Sequence, residues 1–156
     1  MITIFNKKSN LVLFILIIST ISLAAAYVAE YVFNIKPCVL CVYERIPYML
    51  AIGVALSSLF NKKYSYAINV FIAIFLISSI LSIYHVGVEQ HIFAGTSECN
   101  NTAKNINNIE DLRAKILGDN HASCSEIALS FLSISFAGWN AILSMLLTYI
   151  CVKNRK

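Results

Sequence analysis

Four stretches of this chain, residues 11–29, 42–60, 64–86 and 127–152, carry almost no charge, and they constrain the fold more than any other feature. The exceptions are Glu44 and Arg45, near the start of the second stretch. Each run has about 19 to 26 residues, enough at about 1.5 Å per residue to cross a hydrocarbon core about 30 Å thick. With 58% hydrophobic and only 13% charged residues, the composition lies outside the range of an ordinary soluble domain. The expectation is an all-α integral membrane protein, a single domain over residues 1–156 built as a four-transmembrane-helix bundle.

Lysine and arginine set the expected orientation. Lys7 and Lys8, Lys62 and Lys63, and Lys153, Arg155 and Lys156 mark the two termini and the short turn between the second and third spans. By the positive-inside rule these regions face the cytoplasm, so residues 30–41 and 87–126 form two outer loops. Residues 11–29 also resemble a signal peptide, with Lys7 and Lys8 ahead of them and Ala24, Ala25 and Ala26 as a small-residue cleavage site. Cleavage would leave the other spans oriented as before; retention is the expectation, and N-terminal sequencing of the mature protein decides. In the second outer loop, Ile106, Ile109, Leu112, Ile116 and Leu117 recur at helical spacing, with Asn108 as an N-cap and Gly118 as a stop. This reads as a short amphipathic helix on the membrane surface, or alternatively as a loop segment packed on the bundle.

The topology sorts the five cysteines. Cys38 and Cys41 lie in the first outer loop, Cys99 and Cys124 in the second, and Cys151 at the inner end of the last span. Four thiols therefore face a compartment where disulfides persist. Closeness in sequence favours Cys38 with Cys41, which leaves Cys99 with Cys124, although other pairings remain open. If residues 42–60 are helical, Cys38, Cys41 and Arg45 fall at i, i+3 and i+7 and share a face. The free N–H groups and positive dipole end of a helix start favour a thiolate there.

Several chemistries compete for these residues. A zinc site of four cysteines is disfavoured, because structural zinc sites use closely spaced pairs and Cys99 and Cys124 are far apart in sequence, so no metal is expected. An inert four-span scaffold stapled by two structural disulfides is the main rival. Against it, a Cys-x-x-Cys ring is a poor staple, since the stabilisation grows with loop length. Ionisable groups at membrane depth, here Glu44 and Arg45, are also costly enough to be read as functional. Two outer disulfides can pass oxidising equivalents through mixed disulfides. The sequence has no nucleotide-binding glycine motif and no haem-attachment motif, so elimination leaves a lipid-soluble electron acceptor. No nucleic-acid partner is expected.

The block Pro37, Cys38, Val39, Leu40, Cys41, Val42, Tyr43, Glu44, Arg45, then Gly87, Val88, Glu89, Gln90, His91, then Cys99 and Cys124, resembles the DsbB family of bacterial disulfide bond formation proteins. The likeness covers the whole chain, but it departs from the family at Phe136, Ala137, Gly138, Trp139, where a Met-Pro-Gln-Trp type sequence is frequent. The resemblance implies a multi-pass protein of the bacterial inner membrane that reoxidises a DsbA-like periplasmic thiol oxidase and passes the electrons to ubiquinone or menaquinone. Cys99 would be attacked by the partner, with Cys124 as its bridge partner. Cys38 would pass oxidation between the pairs, and Cys41 would face the quinone. Arg45 would stabilise thiolate and quinol oxyanion, and His91 would be a second quinone-site residue. The acceptor must be a stronger oxidant than a partner near about −120 mV, each 30 mV being worth about 1.4 kcal/mol for two electrons. A quinone-linked reductase of the vitamin K epoxide type is not matched, since its Cys-x-x-Cys lies near a later span. His85 reads as a helix-end packing residue and His121 as a solvated loop residue. Cys151 reads as packing against lipid or helix, Tyr43 and Tyr48 are candidates to line a quinone cleft, and Glu44 has no partner assignable from sequence.

Overall fold

Hydrocarbon offers no hydrogen-bond partners, so a spanning segment must satisfy its backbone internally, and each apolar run becomes a helix. The computed structural model describes residues 7–95, Cys99, Cys124, 130–131 and 134–155. It contains α1 (Lys7–Tyr31), the five-residue α2 (Val39–Tyr43), α3 (Arg45–Asn61), α4 (Tyr64–Glu89) and α5 (Phe136–Lys153). Four segments, Lys8–Tyr31, Val39–Asn61, Tyr64–Glu89 and Phe136–Lys153, are long and apolar enough to cross a membrane. The chain is an all-helical multi-pass membrane protein. The amphipathic segment expected at residues 106–117 and His121 lie outside the described residues.

Two helix boundaries differ from the hydropathy reading. The second span is interrupted at Glu44, between α2 and α3. Pro47 has no N–H to offer the carbonyl of Tyr43, so the ladder breaks there and restarts with Pro47 in a first turn, where that N–H is not needed. The last helix begins at Phe136 rather than at residue 127. Ahead of it, Ser130–Phe131 pairs antiparallel with Ile134–Ser135, Ser130 opposite Ser135. Ser135 then caps α5, its Oγ accepting the Gly138 N–H at 3.1 Å. Apolar content alone does not separate a short extended run from a helical one; the capping serine does.

In the bundle α4 packs chiefly on α5 and α1 on α3. Val12 and Ile15 of α1, Ala51 and Ala55 of α3, Phe71 and Phe75 of α4 and Leu147 of α5 form the core. Ala51, Ala55 and Ser58 lie about a turn apart and keep α3 narrow, so that neighbouring backbones approach closely. Outward faces carry exposed Phe14, Ile17, Leu50, Leu76, Ile80, Ile142 and Leu146, a surface suited to lipid tails. At the basic end, Lys8 Nζ donates to Ser65 Oγ at 3.2 Å, and Lys62 closes α3 in the left-handed conformation, φ 56°. Cys38 lies at the opposite end.

Cys151 is the free cysteine among the described residues, and it is fully buried in the core cluster. A bulky maleimide should therefore leave the native, non-reduced chain unlabelled and add one label after denaturation. Rapid native labelling would show that Cys151 faces an accessible surface.

Candidate functional site

Pro37 leads the chain into an extended Cys38, φ −76° and ψ 168°, which caps α2; its Sγ accepts the Cys41 N–H at 3.0 Å. Cys38 is bonded to Cys41, with Cα atoms 5.0 Å apart. Cys99 is bonded to Cys124, with Cα atoms 5.2 Å apart. Cys38, Cys99 and Cys124 are buried in one cluster with Leu40 and Val88, and Cys41 packs against its edge. Segments distant in sequence thus bring both disulfides to the same end of the bundle.

His85, only 2% exposed, stands behind the first disulfide. Its Nε2 lies 3.4 Å from Cys38 Sγ and its Nδ1 2.9 Å from Glu44 Oε1. A carboxylate only accepts, so Nδ1 carries a proton and donates it to Glu44, which turns Nε2 toward Cys38. Glu44 Oε2 accepts from Asn140 Nδ2 at 2.9 Å, and the same amide donates to Ser82 Oγ at 2.8 Å. Tyr48 donates its hydroxyl to Asn140 Oδ1, and beyond it Ser144 lies 3.0 Å from Ser78 Oγ. The result is a continuous polar chain through the α2–α3 junction, α4 and α5. Low dielectric makes such a network rigid when every member is satisfied.

Arg45, the first residue of α3, pairs with Glu30 of α1, and its guanidinium lies 4.9 Å from the centroid of the Tyr27 ring. Pairing and the ring's negative face make a cation tolerable at this depth. Between α1, α3 and α5 a cavity of about 440 Å³ opens, lined by Cys41, Glu44, Arg45, Tyr48, His85 and Trp139 among predominantly apolar side chains such as Ile21, Leu23 and Leu143. Phe136 and Ala137, where the sequence departs from the family pattern, also line it.

Of the residues singled out from sequence, Cys41 and Arg45 meet at this cavity, while Cys38, Cys99 and Cys124 share the adjoining cluster. His91 is elsewhere: it is exposed, adopts φ 58°, and follows the C-cap Gln90 as the left-handed residue that terminates α4. The His91 N–H bonds to the Val88 carbonyl at 3.0 Å and the Ile92 N–H to the Gly87 carbonyl at 2.8 Å, the double bond pattern of a Schellman end. Among the described residues, His85 is the histidine that lines the cavity. The signal for it was present in the sequence, an imidazole inside an apolar span with Glu89 one turn on. Cys38, Cys41 and His85 place potential metal-ligating atoms within 4.8 Å of one another, but here the two sulfurs are bonded to each other rather than present as thiolates.

A Cys-x-x-Cys disulfide opening onto a mostly apolar cavity, with a second disulfide packed in the adjoining cluster, is an arrangement suited to thiol–disulfide exchange in a multi-pass membrane protein. The family model described as Disulfide bond formation protein DsbB matches residues 8–153, and the chain belongs to that family. It is similar to the uncharacterized protein RP370 of Rickettsia prowazekii (strain Madrid E), at 35% identity over 144 residues, covering 90% of this chain and 83% of that protein. No solved structure matches.

Proposed function

We propose that this protein is an inner-membrane thiol:quinone oxidoreductase that reoxidises a DsbA-like periplasmic dithiol protein. The observation that carries the reading is Cys41, which belongs to an exchangeable disulfide and also lines an apolar cavity beside a paired arginine. The cavity suits a quinone: it holds about 440 Å³, is mostly apolar, and has its charged and hydrogen-bonding groups gathered near Cys41. When bound, a quinone takes up the two electrons and two protons of the partner dithiol. Cys99 receives the partner's thiolate, and Cys124 leaves. Cys38 links the two pairs, since it shares a buried cluster with both Cys99 and Cys124. Cys41, released when Cys38 is attacked, faces the acceptor, and Arg45 holds negative charge next to it. His85 and Glu44 fix Cys38 in place. The basic residues gathered at the opposite end support cytoplasmic termini.

The test is direct. Protein purified in detergent in its oxidised form, given a short-chain quinone and a reduced dithiol protein, should produce quinol with one disulfide formed per quinol. Absence of quinol would leave the non-enzymatic scaffold as the better account.

Arg45→Ala should lower kcat/KM for quinone roughly ten- to hundredfold, the equivalent of about 1.5–3 kcal/mol for one charge-assisted contact, with both disulfides intact. Unchanged quinone kinetics in that variant would remove Arg45 from the acceptor site.

A further inference from the structure

The atoms around Cys38 satisfy a second chemistry once the disulfide is opened. Reduction by two electrons with uptake of two protons breaks the Cys38–Cys41 bond and leaves two thiols beside Nε2 of His85. A tetrahedral zinc ion, with Zn–S of about 2.3 Å and Zn–N of about 2.0 Å, sets sulfur and nitrogen donors about 3.5 Å apart and two sulfurs about 3.8 Å apart. Cys38 Sγ and His85 Nε2 already stand 3.4 Å apart, and all three donor atoms lie within 4.8 Å of one another. The two bonded sulfurs must separate for the ion to enter.

The surroundings match as well. A metal-bound histidine ordinarily gives its other N–H to a carboxylate, which fixes the tautomer and raises the basicity of the ligand. His85 does this to Glu44 at 2.9 Å, and Glu44 is itself held by Asn140. Glu89, one turn along α4, has Oε1 3.9 Å from His85 Nε2, a carboxylate oxygen available for the fourth position. Cys41, His85 and Glu89 all line the cavity, so an ion has a way in.

We propose that the dithiol form of this protein binds one zinc ion through Cys38, Cys41 and His85, and that the disulfide form does not. The donor set is not the four-cysteine one that the sequence disfavours. Binding converts both thiols to thiolates and releases two protons to solvent, and reoxidation requires the metal to leave. Zinc thereby holds the pair reduced, a property that does not depend on which acceptor the protein uses.

The experiment uses the full chain in detergent with Cys99→Ser, Cys124→Ser and Cys151→Ser, so that Cys38 and Cys41 are the remaining thiols. The chain is reduced with a phosphine, freed of reductant, and titrated with zinc against a chromophoric chelator. One equivalent should bind to the dithiol form and none to the ferricyanide-oxidised form. Cobalt in place of zinc should give the sulfur-to-metal charge-transfer band of a tetrahedral thiolate site. His85→Gln, which keeps the size and polarity of the side chain, should weaken zinc at least about tenfold, and Glu44→Gln roughly ten- to hundredfold. Equal zinc binding by both redox forms overturns the proposal, and so does dithiol-form binding that His85→Gln leaves unchanged. Re-formation of the Cys38–Cys41 bond in each variant, read by mass, confirms that the motif is folded. Loss of quinone reduction without loss of redox-dependent zinc binding would count against the proposed function alone.

Discussion

Replacing Cys41 by serine is expected to reduce quinol formation to the uncatalysed background. The substitution is nearly isosteric and sits at the edge of the buried sulfur cluster, so the bundle should assemble normally. What disappears is the only sulfur of the first pair that faces the cavity. Cys38, left as a free thiol, offers no disulfide bond for a thiolate of the second pair to attack and has no neighbour through which electrons can reach the acceptor, so the chain should stall. Cys38→Ser should be equally inactive, for the opposite reason: Cys41 remains beside the acceptor without the buried sulfur that connects it to Cys99 and Cys124. Cys99→Ser should give a different pattern. Turnover with the protein dithiol should be lost, whereas a small dithiol that reaches Cys41 through the cavity should still drive quinol formation. Quinol absorbance with each donor, together with mass mapping of cysteine linkages under non-reducing conditions, separates these outcomes. Normal turnover by Cys41→Ser with the protein dithiol would sink the assigned electron route.

The sequence was most informative where the physics is one-dimensional. Hydrocarbon thickness fixes the length of an apolar run, and this made the four spans visible; the charge pattern placed Cys38 and Cys41 away from the lysine clusters at the termini and at Lys62 and Lys63. Short-range features were harder to see. The interruption at Glu44 depends on which carbonyl Pro47 fails to reach, and the late start of α5 depends on Ser135 capping Gly138 rather than on hydropathy. Hardest of all were contacts between helices. Glu44 stood out as a charge in an apolar run, but its partners, His85 on α4 and Asn140 on α5, are supplied by chain segments whose rotation no periodicity specified. His85 and His91 look alike in the sequence, both near the end of the same span. Six residues of helix turn one toward Cys38 and leave the other to close α4 in the solvent-facing turn.

The same contacts make Glu44 the side chain whose loss should disturb the bundle most. Glu44→Ala removes the acceptor of both the His85 Nδ1–H and one Asn140 N–H, and neither donor can turn to an alternative without giving up another contact, since His85 faces Cys38 and Asn140 holds Ser82. Taking one partner out of a buried, hydrogen-bonded polar network typically costs about 3 kcal/mol, because the groups left behind stay desolvated. Glu44→Gln should cost much less, about 1 kcal/mol: its carbonyl still accepts from His85, and the Asn140 amide can rotate to present oxygen to the new NH₂ while Tyr48 becomes the acceptor. The expected order of denaturation midpoints in detergent is therefore wild type, then Gln, then Ala, with the larger gap at the second step. A comparable midpoint for Ala and wild type would mean that water entering from the cavity satisfies His85 and Asn140. In that case the polar chain would not be what holds α4 and α5 to the thiol motif.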